Sequence, residues 1–414
     1  MTARAVAASE PSEIGRWTNH LVNLLGTFVM SAIAAIALLV GNFIESFNPA
    51  RLGVILVVLL ALNLLRYPRL FFCREFTLYF TFTGYMLVSL LWTNDVVLAT
   101  NSLLPTLDCV LILLLVGALV TYHNLRAVLA GLLAGFLVCA AFYDVTHGFP
   151  FVRPDAFSYN AIAGMFLFGL FITLMFGWAM RMRILPLALG LVIMVHIAAT
   201  TSIKTNLGVA LGGAAAALMY FKQFMTVVRR NAIALIVVVV LIVHAVASSE
   251  VFIETVQGGL DRVSAGVKIL IARDDQSGAT EFGARKNWGA QGITGWLENP
   301  LFGHGVEAFR DDFGVTSHST PIDLLYNAGV IGLTLFYSIF ASLAWRLQQT
   351  RRRRHDNLGA LLLAMLVCYI FMSLSGTMHY SYHLAVFIAI SSALLRPERV
   401  RGFRAAASAA VAQI

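Results

Sequence analysis

The chain has 414 residues, of which 59% are hydrophobic and only 12% are charged, and its mean hydropathy is +0.80. Soluble domains carry roughly 25% charged residues, so this composition excludes an ordinary soluble protein. Apolar runs of about 18–25 residues recur along the whole chain, and they predict an all-α, polytopic integral membrane protein. The formal net charge of +8 fits basic residues on cytoplasmic loops, so we expect membrane lipids and no nucleic acid as partners.

The apolar runs predict about 12 transmembrane helices of about 20 residues each. The segment before the first run is too polar for a cleaved signal peptide, so we expect the first helix to stay as an anchor. The expected spans are 27–44, 51–66, 76–93, 101–121, 124–143, 158–180, 184–201, 204–224, 231–249, 321–346, 357–378 and 382–396.

Basic residues accumulate in alternate connections, whereas the intervening ones, such as 93–101 and 376–383, contain almost none. The positive-inside rule therefore predicts that both termini are cytoplasmic and that one long loop lies outside the cytoplasmic membrane. The expected division is a cytoplasmic N-terminal segment (1–26), nine transmembrane helices (27–249), the outer loop (250–320), three further transmembrane helices (321–396) and a cytoplasmic tail (397–414).

The outer loop is expected to contain short amphipathic helices. Residues 251–272 have apolar side chains at helical spacing opposite charged ones, which is typical of a helix lying in the membrane interface. Residues 284–299 predict a second short helix, which Pro300 would stop.

Basic residues are scarce on the outer side, where the positive-inside rule disfavours them, and three of them are candidates for binding an anion: Arg153, Lys204 and Arg285. Such residues can be rim charges that extend their side chains towards water. Alternatively, three cations around one site could neutralise a pyrophosphate, and arginine offers the bidentate geometry that phosphates favour.

His318 is the sharpest candidate for catalysis. The segment from Thr320 to Asp323 has the form of a helix start, with a capping threonine, a proline and an acid three residues after the cap. His318 would then lie just outside a helix N-terminus, where the positive end of the dipole disfavours imidazolium and favours a neutral, proton-accepting histidine. The alternative is a loop histidine that only binds backbone groups.

These residues belong to a longer pattern. An arginine and a tryptophan precede a Pro-Leu-x-Gly-x-Gly turn, and a histidine then opens a span with a Gly-hydrophobic-hydrophobic-Gly run. The chain thereby resembles the O-antigen ligase and polymerase superfamily of bacterial membrane glycosyltransferases. Weaker similarities occur at 158–164, which includes Asn160, and at 200–212. The positions that carry the main pattern are Arg285, Trp288, Pro300, Leu301, Gly303, Gly305, His318, Gly329 and Gly332.

The resemblance implies an enzyme of the bacterial inner membrane with a periplasmic active site and no cofactor or metal. It would transfer a glycan from an undecaprenyl-pyrophosphate carrier to an acceptor hydroxyl of lipid A-core or of another glycan. On that view His318 is the general base, and Lys204 and Arg285 bind pyrophosphate with help from Arg153. Supporting roles would fall to Trp288, Gly303, Gly305, Asn160 and Asp323.

Two departures from the family pattern bear on the subfamily. Lys204 replaces the family's arginine, which keeps the charge but loses the bidentate geometry, and Ser319 replaces the asparagine after the motif histidine. A ligase, which passes polymer to lipid A-core, is favoured over a repeat-unit polymerase, although both need the same groups. A transporter or lipid flippase is the alternative from another class.

Overall fold

A computed structural model describes residues 13–40, 49–148, 159–182, 184–200, 202–219, 229, 236–237, 240, 281–351 and 357–396. Within these ranges all regular secondary structure is helical, which confirms the predicted all-α class. Several predicted features lie outside the described residues: nearly all of the ninth span, the amphipathic helix over 251–272, Arg153 and the tail 397–414.

The helices follow one another through short connections. The N-terminal group is α1 (Glu13–Val40), α2 (Pro49–Arg66), α3 (Arg74–Val88), α4 (Val96–Tyr122), α5 (Leu125–His147), α6 (Tyr159–Met180), α7 (Ile184–Ala199) and α8 (Ile203–Met219), with a 3₁₀ helix at Ser89–Trp92 after α3. The C-terminal group is α9 (Glu281–Trp296), α10 (Ala308–Phe313), α11 (Thr320–Arg351), α12 (Asn357–Leu374) and α13 (Tyr382–Leu394). The helix predicted over 284–299 is confirmed as α9.

Among the described helices, six are long and apolar enough to cross a membrane, namely α1, α2, α4, α5, α6 and α11. Three shorter apolar helices, α7, α12 and α13, pack with them. The chain is therefore a helical membrane protein. The count of 12 crossings and the periplasmic placement of the outer loop stay predictions.

Small residues allow neighbouring helices to approach closely. A Cβ atom at Gly131 or Gly135 of α5 would collide with the carbonyl oxygen of Phe28 or Ala32 of α1, respectively. Both contacts advance in the same direction along the chain, so α1 and α5 run parallel. Gly212 makes a similarly close approach from α8 to the backbone of α12.

Two basic side chains make close contacts near the C-terminal end of α11. Arg346, near the end of α11, pairs with Glu75 at the start of α3, and Arg396 lies 4.8 Å from the centre of the Phe71 ring. The other end of α11 follows directly after His318. Arg346 and the predicted site thus lie at opposite ends of α11.

The pair of Glu75 and Arg346 joins three helices. Glu75 is fully buried, and its Oε2 atom lies 2.5 Å from Nη1 of Arg346. Ser342 on α11 donates a hydrogen bond of 2.7 Å to the other carboxylate oxygen, and Arg346 also donates to the carbonyl of Ser392 on α13. Because every charged atom has a partner, the burial is tolerated.

We expect Glu75→Ala to lower the free energy of unfolding by about 3–5 kcal/mol, because the partly buried guanidinium of Arg346 would lose its carboxylate. Replacing both residues with leucine should cost less, since no charge is then left unpaired. Thermal unfolding in detergent micelles measures both effects. Equal losses in the single and the double variant would contradict a partnership between the two side chains.

Candidate functional site

The centre of the predicted motif is an interruption of α11. At Gly329 the backbone leaves the helical region, with φ of 62° and ψ of −168°. The N–H groups of Val330 and Ile331 therefore do not reach the carbonyls one turn earlier. They donate instead to the carbonyl oxygens of Pro300 and Leu301, at 3.0 and 3.3 Å.

Residues of the segment 300–305 also form hydrogen bonds with the part of α11 before the break. The carbonyl oxygens of Tyr326 and Asn327, which an unbroken helix would pair with residues 330 and 331, accept from the N–H groups of His304 and Gly305, both at 2.9 Å. Two helical hydrogen bonds are thus replaced by four bonds to residues 300–305, which we call the motif loop. All four backbone groups opened by the break are satisfied.

Glycine is required where the motif loop meets α11. Gly303 has φ of +69°, and a Cβ atom there would lie 2.5 Å from backbone atoms of Asn327 and Ala328. A Cβ atom at Gly329 would collide with the carbonyl oxygen of Leu301, and Gly305 abuts the backbone of Thr93. The motif glycines therefore allow two backbone segments to lie side by side.

His304 has a structural role in this contact. Its Nε2 atom lies 2.9 Å from the carbonyl oxygen of Gly295, and its Nδ1 atom lies 3.2 Å from the side-chain amide of Asn299. A carbonyl only accepts, so Nε2 carries the proton and Nδ1 accepts from the amide. The ring also stacks on Tyr326, with 4.6 Å between ring centres.

His318 lies two residues before the start of α11 and has a left-handed backbone conformation, with φ of 54°. Its half-buried ring is 5.8 Å, centre to centre, from the indole of Trp288 in α9. Arg285 belongs to the same helix, one turn before Trp288. Helix α9 thus carries two of the predicted residues alongside the loop that bears His318.

The start of α11 differs from the predicted cap. Thr320 is the first helical residue, and its N–H and hydroxyl both donate to the carbonyl oxygen of Gly376, at 3.1 and 2.5 Å. The hydroxyl also accepts from the N–H of Met378, at 2.8 Å. The N–H of Asp323 bonds to the carbonyl of Ser319 instead of to the Thr320 side chain. Thr320 therefore attaches α11 to the connection between α12 and α13.

Lys204 reaches the same connection from α8. A Cβ atom placed on Gly376 would lie 2.5 Å from the Lys204 Nζ atom, so the ammonium group lies directly against this glycine. Since the Gly376 carbonyl accepts from Thr320, two residues after His318, the starts of α8 and α11 meet here. Lys204 and His318 thus lie at the two sides of one junction.

Asn160 lies beside this junction at the start of α6. Its Oδ1 atom accepts a 2.9 Å hydrogen bond from the Ser202 hydroxyl, which also lies 3.0 Å from the hydroxyl of Thr205. Ser202 precedes Lys204 by two residues, so Asn160 helps to hold the start of α8. Within the described ranges, no group of three or more histidine, cysteine or acidic residues is arranged to hold a metal ion.

Three ionisable groups near the junction were not predicted from the sequence. Burial lowers the pKa of His379 to about 3, so this histidine is neutral at physiological pH. Burial raises the pKa of Glu307, partly offset by Arg310 and Ser102. Burial also raises the pKa of Tyr380 to about 12. No local sequence pattern marks them, because only the tertiary contacts among α4, the motif loop and the α12–α13 connection bring them together.

We expect Gly329→Ala to lower the free energy of unfolding by about 1–3 kcal/mol or more, because the required backbone conformation is strained for a residue with a Cβ atom. The added methyl group would also collide with the motif loop. Gly213→Ala in α8 is the matched control, since nothing lies within 4 Å of its Cβ position. Thermal unfolding in detergent should separate the two variants. Equal midpoints would contradict the described contact between loop and helix.

Comparison with known proteins identifies a family for the central part of the chain. Residues 189–337 match the model of the family described as O-Antigen ligase. The matched region runs from α7 into α11 and contains Lys204, Arg285, the motif loop and His318. No curated protein matches the chain. Residues 189–337 thus form a region that matches the O-antigen ligase family, which supports the resemblance to the O-antigen ligase and polymerase superfamily.

Proposed function

We propose that this membrane glycosyltransferase is of the ligase type and transfers a glycan polymer from undecaprenyl pyrophosphate to a hydroxyl group of lipid A-core. The proposed reaction takes place at the periplasmic face of the bacterial inner membrane. One observation carries the proposal: Lys204 lies against Gly376, whose carbonyl accepts from Thr320, two residues after His318, and both Lys204 and His318 belong to the region that matches the O-antigen ligase family.

In the proposed reaction, the acceptor hydroxyl oxygen attacks the anomeric carbon of the donor sugar. His318 accepts the hydroxyl proton as the bond to the acceptor forms, a contribution of typically 10²–10⁴-fold in rate. The bond between the anomeric carbon and the pyrophosphate oxygen breaks, and the electron pair leaves with the pyrophosphate. The half-buried position of His318 at the mouth of α11 supports this role, because a base must contact the acceptor.

Lys204 and Arg285 are proposed to bind the pyrophosphate and to stabilise its charge as it departs. Lysine supplies a compact point charge, whereas arginine supplies a planar fork that can grip two phosphate oxygens. The two residues would therefore act differently on one leaving group. Arg153, which lies outside the described residues, is proposed as a third cation.

A transporter is the alternative that one observation favours. Transporters often bind their ligands at interrupted membrane helices, where free backbone groups face the substrate, and α11 is interrupted at Gly329. Here, however, the backbone groups opened by the break are bonded to the motif loop. Since they are not available to a ligand, the break supports a structural role, and the enzyme is the better proposal.

Deleting the gene would test the ligase proposal against the polymerase one. We expect long polymer to accumulate on the lipid carrier while lipid A-core stays bare, as seen on gels of surface glycan and of lipid-linked glycan. Acceptors that carry only single repeat units would indicate a polymerase. Unchanged glycans in both pools would contradict any glycosyltransferase and favour a transporter.

Arg285→Lys tests the proposed pyrophosphate contact. We expect transfer to fall by about 10²–10³-fold, because lysine keeps the charge but cannot form the bidentate contact on which the transition state would depend. Membrane-bound protein measured by immunoblot should stay at the wild-type amount. Lys286→Arg is the matched control and should transfer normally. Wild-type transfer by Arg285→Lys would refute the proposed role.

A further inference from the structure

Beside His318 lies a pair of buried ionisable residues that cannot contact a substrate. Asp323 and His379 are each 4% exposed, and His379 Nε2 lies 3.8 Å from Asp323 Oδ2. We infer that Asp323, backed by His379, is a positioning residue that fixes the conformation of His318. The importance of this positioning for catalysis rests on the proposed function, whereas the positioning itself is independent of it.

Asp323 holds the chain on both sides of His318. Its Oδ1 atom lies 3.2 Å from the Ser317 hydroxyl, and its backbone N–H donates to the Ser319 carbonyl at 2.8 Å. Ser317 and Ser319 are joined in turn, because the Ser319 N–H donates to the Ser317 hydroxyl at 3.2 Å. His318 lies between these two bonded serines.

These bonds hold the backbone around His318. Its φ of 54° is unfavourable for a residue with a Cβ atom. A left-handed conformation persists only where the surroundings impose it. In this loop the imposing contacts converge on the Asp323 carboxylate and N–H. Without the carboxylate, Ser317 would keep only its bonds to Ser319, and the loop would relax to a common backbone conformation.

His379 packs against the carboxylate of Asp323 and is itself held in place by its neighbours. The Tyr79 hydroxyl donates to its backbone carbonyl at 2.7 Å, and its ring meets Phe82 and Phe336 edge to face, at 6.2 and 6.3 Å between centres. A carboxylate facing Nε2 favours the proton on that atom. Nδ1 then has only a lone pair, which explains why it is buried without a hydrogen-bond partner among the described residues.

Asn327 connects this pair to the break in α11. It follows Asp323 by one turn of α11, and its Oδ1 atom accepts from the Phe309 N–H at 2.8 Å. Its backbone carbonyl accepts from Gly305 in the motif loop. The first turns of α11, which carry Asp323, are thus bonded to the motif loop through Asn327.

The test uses the full-length protein in detergent and two measurements on each variant. The first is the rate at which diethyl pyrocarbonate modifies His318, followed by peptide mass spectrometry. The second is the split of the transfer kinetics into kcat and the donor KM. For Asp323→Ala we expect severalfold faster modification of His318, because the loop is released. We also expect kcat to fall by about 10²-fold at unchanged KM, since a 1 Å misplacement can cost that much.

Asp323→Asn keeps the shape and one acceptor oxygen for Ser317, so it should recover most of the kcat and the slow modification. Should Asp323→Ala fail to fold, Ser317→Ala removes the same hydrogen bond from the other side and should likewise accelerate the modification of His318. Asp311→Ala, at an exposed acid of the nearby helix α10, is the matched control and should behave as wild type. His318 reactivity that is unchanged in folded Asp323→Ala would overturn the inference, whatever the transfer rate.

The two measurements also separate this inference from the proposed function. If the wild-type protein transfers no glycan but Asp323→Ala still accelerates modification of His318, the positioning stands and the proposed function fails. If transfer falls while His318 reactivity stays constant, Asp323 acts by another route and the positioning is wrong.

Discussion

The interruption of α11 at Gly329 is the constraint on which the rest of the site depends. A broken helix leaves backbone groups that water cannot satisfy inside a membrane, and each unpaired group would cost several kcal/mol. Here residues 300–305 supply all four missing partners from their own backbone. The motif loop can therefore not move independently of α11. Because α9 precedes that loop and His318 opens the helix, the positions of Trp288, His318 and the loop follow from one set of backbone bonds.

One helix serves two purposes at its two ends. Near its C-terminal end, α11 carries Arg346, whose pairing with fully buried Glu75 joins α3, α11 and α13. At its N-terminal end, Thr320 attaches it to the connection between α12 and α13, where Lys204 also lies. The first set of contacts is closed, since its charges are paired with one another. The second leaves His318 half-buried, and the proposed chemistry is assigned to that end.

The sequence predicted features that depend on local patterns and missed those that depend on distant contacts. Apolar periodicity indicated the helical membrane class, and the motif glycines marked the turn that meets α11. Thr320 was expected to cap its own helix, but its hydroxyl bonds to Gly376 and Met378, 56 and 58 residues away. His379 was not predicted from the sequence for the same reason, because its contact with Asp323 joins residues that are far apart in the chain. A capping motif describes one helix and contains no information on what packs against it.

The lysine at position 204 fits the geometry of its junction. The ammonium group lies where any side chain at position 376 would collide with it, and the Gly376 carbonyl is already engaged by Thr320. A compact point charge suits such a confined place better than a planar guanidinium, whose five donors need a wider set of acceptors. Because position 204 is a lysine and not an arginine, any bidentate contact with phosphate would have to come from other cations. On the proposed mechanism that contact comes from Arg285, one turn before the tryptophan that contacts His318.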